Sequence, residues 1–286
     1  MKSKEATSEK RTKRKVKSFS KNAILYGVPS PTEFESPASW LTRAALSQGA
    51  SPQEFCKFLG INYRQDPDLC FTREVIRNIS AKCGLNPRAF DFGRHMFTGL
   101  MSFDRKGDRF LLFGKTGARY RYCPVCLKEQ TIKHFPVHWR FKAWRHCPLH
   151  DCLMEDRCRY CGMQVELPAH LMDGGPEQSG VAFLHQCVAC ANPLSKYWRK
   201  VTGILNKGVL DWDERVALNQ GRAVLAAVYQ RRLYYSGINQ KYRMKALVGL
   251  AKSGVIPHEN FLLDAGELER RWDQKKLKDS AQFEVV

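Results

Sequence analysis

The chain has 286 residues, 43% of them hydrophobic, enough to bury a core in two or three modules, and no apolar run approaches the ~18 residues of a membrane span. Its formal net charge of +19 favours a polyanionic partner, nucleic acid above all, over a membrane surface, because no basic amphipathic helix with an exposed apolar face is evident. Eleven cysteines with no secretory segment ahead of them, in a chain too long for a small secreted scaffold, argue against a disulfide framework and for thiols in a reducing cytoplasm.

Residues 1–22 read as a disordered basic arm, with nine lysines and arginines among its first 21 residues against Glu5 and Glu9. Such an arm lies along phosphates, serves as a localisation tag or simply solubilises the chain.

Residues 23–117 read as a helical domain with a repeated start signal, a capping side chain followed by proline at the first helical position. Ser36-Pro37, Ser51-Pro52 and Asn86-Pro87 carry it, and Glu54 adds a capping box to Ser51. The predicted helices run from Pro37 to about Ser47, from Pro52 to Leu59 before Gly60, from Thr72 to Cys83 before Gly84, and from Pro87 to about His95. In the first, Trp40 and Leu41 enter the core and Arg43 stays on the surface as a solvated charge. Ala45 to Ser51 and Ser80 to Asn86 resemble helix-turn-helix corners, although ordinary helix hairpins share that turn chemistry. The second corner is the better DNA reader, since its following helix carries Arg88, Arg94 and His95, whereas Glu54 repels phosphate at the first. Residues 103–117 interleave glycines with Phe110, Leu111, Leu112 and Phe113 and predict a short β-hairpin.

Residues 118–195 carry the strongest signal. Cys123/Cys126, Cys147/His150, Cys158/Cys161 and Cys187/Cys190 are four two-residue-gap pairs, each able to fold as a knuckle that turns both donors onto one metal. They predict two closed structural Zn2+ sites, one with three thiolates and an imidazole and one with four thiolates. Pairing order stays open between sequential grouping, which the spacing favours, and an interleaved cross-brace. With both metals bound the charge falls to about +16. Cys56, Cys70, Cys83 and Cys152 have no metal role in this reading and are buried or inert thiols.

Bases alternate with aromatics around the first four donors. Trp139, Phe141 and Trp144 wall the metal as core, while Arg119, Arg121, Arg140, Lys142 and Arg145 are candidate phosphate contacts. Residues 196–286 read as all-helical, with Asp211 and Glu214 opening a helix to about Ser236, Asn239 capping another to about Lys252, and a last helix from about Ala265 to Leu277. Arg231, Arg232, Arg243 and Lys245 lie in the basic part of this region, and the mixed charges after it suggest a second kind of surface.

Enzyme signatures fail. No His-x-Glu occurs, Tyr122 and not proline precedes the first knuckle, and no Gly-x4-Gly-Lys-Ser/Thr phosphate loop is present. A nuclease of the His-Asn-His type would need a paired catalytic histidine that is not evident. The chain reads as mainly α with small zinc-binding β and loop modules, a protein that binds and does not turn over.

The combination of Glu35-Ser36-x-x-Ser39-Trp40-Leu41-x-Arg43, Arg121-Tyr122-Cys123-Pro124-x-Cys126-Leu127, Trp139-Arg140, Cys147-Pro148-x-His150 and Cys158-x-x-Cys161-Gly162 resembles the TniQ/TnsD family of transposon target-selection proteins, over residues from about 24 to 194. The resemblance implies an N-terminal helical domain of helix-turn-helix character, a tandem zinc-finger module and further helices. It implies proteins that recognise a DNA site or attach to an RNA-guided CRISPR effector complex, and that recruit the AAA+ ATPase which brings in the transposase. Catalysis belongs to those partners. By position, Cys123, Cys126, Cys147 and His150 carry over as ligands of one zinc and Cys158, Cys161, Cys187 and Cys190 as ligands of the other, with Cys152 an extra thiol expected to be a spectator. A cytoplasmic, nucleoid-associated bacterial setting follows, and a second copy of the chain is a further candidate partner. The competing function is a zinc-containing, sequence-specific transcription regulator with no transposon partner.

Overall fold

The computed structural model describes residues 24–101, 106–107, 110–115, 117–142, 144–150, 152–171 and 183–196, together with 222, 225, 228–235 and 240–243. The basic arm, Asp211, Asn239, Lys245 and the last expected helix lie outside them. No helix among the described residues is long and apolar enough to cross a membrane.

The capping signals of the N-terminal part act as read. Helix α1, Pro37–Ser47, starts at Ser36, whose hydroxyl accepts from the Ser39 amide. Helix α2, Pro52–Leu59, starts with a complete capping box and ends at Gly60, whose φ of 75° only glycine adopts without strain. A short helix α3, Pro67–Cys70, follows the same cap-then-proline rule from Asp66 and went unread. Helix α4, Arg73–Cys83, begins at Thr72. The expected helix from Pro87 to about His95 is instead a 3-10 turn, Pro87–Phe90, leading into helix α5, Asp91–Met101, because the apolar face continues through Met96, Phe97 and Leu100. The Ser51 cap is solvent-adjacent and local, so Ser51→Ala is expected to cost about 1 kcal/mol in a urea melt while leaving the cores intact.

Two cores organise these elements. The first centres on Trp40, with the rings of Phe55, Phe71 and Phe90 at 6.1, 6.1 and 4.8 Å and its indole N–H donated to the Pro29 carbonyl at 2.8 Å. The second joins Met96, Phe97 and Leu100 of α5 to Tyr120, Tyr122, Phe135, Trp139, Phe141 and Trp144 and to Leu225 and Val228. The division expected at residue 117 therefore runs through a shared core.

Strand content is small and serves the second core. Strand β1, Ala118–Tyr120, pairs antiparallel with β4, Val165–Leu167, and β2, His146–Cys147, with β3, Cys152–Leu153. Helix α6, Pro124–Glu129, begins inside the first knuckle. Of the hairpin expected over 103–117, the described residues show a turn in which the Gly107 carbonyl accepts the Phe110 and Leu111 amides, a bridge from Leu111 to Phe141, and a tight turn, Gly114 N–H to the Gly117 carbonyl at 3.1 Å, with Phe113 bridging Ala118. The Glu166 carboxylate accepts the amides of Lys115 and Gly117 there and fills the space where a Gly114 side chain would stand.

The C-terminal part departs most from expectation. Helical residues at 222, 225 and 228–230 give way to an antiparallel hairpin of β5, Arg232–Tyr235, and β6, Gln240–Arg243, where the helix was expected to continue to Ser236 and a new one to start at Asn239. Leu233, Tyr234 and Tyr235 favour strands, and Gly237 with Asn239 fits a hairpin turn as well as it fits a helix stop and start. The helical part seats against α5 at Gly99, where a Cβ would lie 2.9 Å from the Val228 carbonyl, and His95 Nε2 lies 2.8 Å from the Tyr229 carbonyl oxygen. His95 thus faces this helix and not a DNA groove.

Candidate metal centres and the basic surface around them

The eight donors of the four knuckles gather sequentially. Cys123, Cys126, Cys147 and His150 form one group and Cys158, Cys161, Cys187 and Cys190 another, with the donor atoms of each group all within 4.8 Å of one another. Local structure explains the first group: α6 places Cys126 one turn after Cys123, and the β2–β3 hairpin carries Cys147 and delivers His150 from its turn.

Distances size both groups for an ion. A tetrahedral Zn–S bond near 2.3 Å gives a sulfur–sulfur edge of ~3.8 Å, far from the ~2.0 Å of a disulfide. The first site has Cys126 and Cys147 sulfurs at 3.5 Å, with His150 Nδ1 at 3.4, 3.3 and 3.5 Å from Cys123, Cys126 and Cys147. The second has Cys158–Cys190 at 3.7 Å and Cys161–Cys187 at 3.5 Å. His150 offers Nδ1 inward because Nε2 bonds the Glu129 carboxylate at 2.8 Å, the arrangement by which a carboxylate fixes the tautomer of a metal-binding imidazole. Donor chemistry and spacing fit a tetrahedral divalent ion at both places. Cys56 and Cys83 stand apart, buried in the Trp40 core, where burial pushes their thiols up to about 12 and about 11 and keeps them protonated. Cys70 is half-buried and its thiol bonds the Gln65 side chain.

The candidate phosphate contacts divide. Arg140 is the clear correction: it is fully buried and cannot reach a phosphate. Its guanidinium donates to both Asp66 carboxylate oxygens, to Asp68 at 2.5 Å and to the Leu112 carbonyl at 3.1 Å. Burial disfavours its charge, but Asp66 and Asp68 more than offset this and hold it protonated. Asp68, itself buried, also accepts the Ala38 amide at 2.9 Å and the Tyr120 hydroxyl, and that hydroxyl lies 2.7 Å from the Ser36 Oγ. Arg43 is corrected too: it clamps Glu35 at 2.5 Å and donates to the Ser30 carbonyl, so it is not a free solvated charge.

Arg94 pairs with Asp91, and Arg119 with Asp156. Arg121 donates to the Lys142 carbonyl at 2.6 Å, and burial together with the nearby charge of Arg145 pushes its guanidinium below the ordinary value, Asp156 opposing and Arg119 adding to the push. Arg88, Lys142, Arg145 and Arg231 are exposed. Arg232 and Arg243 are register partners across the C-terminal hairpin, as are Tyr234 and Lys241. His138, buried, is no cation: burial pushes its imidazole down to about 3.

The motif that begins at Glu35 is thereby explained as a joint. Ser36 N–H donates to the Phe135 carbonyl at 3.0 Å, Val137 N–H to Phe34 at 2.8 Å, Phe135 N–H to Ser39 Oγ at 2.9 Å and Ala169 N–H to Thr42 Oγ1 at 3.1 Å. These bonds and the Asp66–Asp68–Arg140–Tyr120 network fasten α1 and α3 to the segment that carries the first metal site. Sequence reasoning missed that network, although Asp66-Pro67-Asp68 carried the cap-then-proline signal. No curated protein compared with the chain matches it. Residues 27–154, the stretch that holds most of the joint and the first group of donors, match the TniQ family model, so this part of the chain carries a TniQ domain, which supports membership of the TniQ family.

Proposed function

We propose that this protein is a non-catalytic adaptor that selects the target of a DNA transposition reaction, engaging DNA directly or through a CRISPR effector ribonucleoprotein, and recruits the AAA+ ATPase that regulates the transposase. The observation that carries this reading is the TniQ match over residues 27–154, which includes most of the joint and the first metal site. Two structural Zn2+ ions hold the knuckles, supplying rigidity and no vacant position for substrate. The ions would be held by Cys123, Cys126, Cys147 and His150, and by Cys158, Cys161, Cys187 and Cys190.

Charge supports a nucleic-acid face. Lys142 and Arg145 are exposed near Arg121, and Arg232 and Arg243 are register partners in the hairpin, so both places offer bases to a polyanion. Apolar side chains at three knuckle tips, Leu149, Tyr160 and Val188, are exposed and are the contacts we assign to a protein partner.

Gel-shift affinity measured against salt tests the DNA half. About six phosphate contacts give a slope of log K on log salt near −5. Reversing Lys142 and Arg145 to Glu, or Arg232 and Arg243 to Glu, is expected to make the slope shallower by about two with the thermal midpoint unchanged. A flat wild-type slope, or affinity untouched by both pairs of reversals, overturns direct DNA binding. Co-purification of the ATPase with wild type and its loss on Leu149→Glu with Val188→Glu tests the recruiting half.

A further inference from the structure

A fifth candidate donor, the thiol of Cys152, stands beside the four of the first metal site. Cys152 Sγ lies 3.5 Å from Cys123 Sγ, the same spacing that separates the sulfurs of Cys126 and Cys147, and is 1% exposed. Its position is fixed by backbone pairing: Cys147 and Cys152 are register partners in the β2–β3 hairpin, so both side chains leave the same face of it toward the site. The imidazole of His150 is the more accessible of the two candidates for the fourth position, its side chain 16% exposed and its Nε2 tethered to Glu129, which is 64% exposed. Cys123, Cys126 and Cys147 would thus serve with either partner, His150 the more accessible and Cys152 the buried one.

We propose that Cys152 is an alternative fourth ligand of the first metal, exchanging with His150. This rests on the metal reading of the site. In the exchange the Cys152 thiolate would take the place of the His150 imidazole on the ion, its thiol proton leaving to solvent, with no oxidant or reductant involved. The consequence is a knuckle, 147–150, whose outer half is released for docking while Cys123, Cys126, Cys147 and Cys152 keep the ion and the core behind it.

The test uses the full chain, with zinc per chain by elemental analysis and, after replacement by Co2+, the thiolate-to-metal charge-transfer absorbance. Wild type is expected to hold two zinc ions. His150→Ala is expected still to hold two, with charge-transfer intensity raised by about one seventh as an eighth thiolate joins the seven. His150→Ala combined with Cys152→Ser is expected to hold one, the ion retained at Cys158, Cys161, Cys187 and Cys190 serving as the internal standard for a folded chain. Loss of one ion from His150→Ala alone, retention of two without added intensity, or retention of two by the double variant overturns the proposal. Wild type without stoichiometric metal overturns the metal reading itself and is distinguishable from all three.

Discussion

Removing the metal by chelation is expected to unfold the segment from about Tyr122 to Leu194 and to leave the Trp40 core standing. Binding at each site contributes on the order of 10 kcal/mol to folding, comparable with the ~5–15 kcal/mol total stability of a typical domain. The segment's own secondary structure adds little to that. Its strands are two or three residues long and α6 has six residues, all too short to persist alone. Trp139 and Trp144 pack in the core that the first metal site borders, whereas Trp40 packs against Phe55, Phe71 and Phe90 with no metal donor near it. Chelation should therefore red-shift tryptophan emission and open new protease cuts between about 122 and 194, while helical circular dichroism falls only in part. An unchanged digestion pattern, with zinc loss verified by elemental analysis, would refute structural metal.

What could be read from the sequence was what is encoded locally. A cap and a proline specify a helix start within four residues, so α1 and α2 emerged at their observed boundaries; α4, read from its apolar face and Gly84, came within one residue of its start, and the knuckles specify their donors within a similar span. The grouping of those donors needed the fold, because only chain folding brings Cys147 and His150 against Cys123 and Cys126. Arg140 shows the limit from the other side. Set between aromatics next to a metal motif it has the pattern of a phosphate contact, and only chain folding reveals that carboxylates 74 and 72 residues earlier surround it. Arg43 was misjudged for a related reason, since its partner Glu35 precedes the helix and meets it only after Ser36 turns the chain. In the C-terminal part, Gly237 and Asn239 punctuate a helix and a hairpin equally well; the strand preference of Leu233 to Tyr235 decided between them.

Replacing Arg140 is expected to be the most damaging single change away from the metal ligands. Asp68 is fully buried, and without the guanidinium its charge would have only the Ala38 amide and the Tyr120 hydroxyl for partners, too little to offset desolvation. Removing one member of such a buried pair costs about 3–5 kcal/mol, so Arg140→Met should lower the urea midpoint sharply. Arg140→Lys should not rescue it, because one ammonium cannot serve both Asp66 oxygens, Asp68 and the Leu112 carbonyl at the angles a planar guanidinium spans. Arg140→Met combined with Asp68→Asn should recover part of the loss, since the stranded charge is gone. The same variants separate a joint from a DNA contact. If Arg140 touched phosphate, the folded Lys variant would retain stability and any loss would appear in affinity; the joint instead requires that stability falls while the salt slope of the folded fraction stays at its wild-type value.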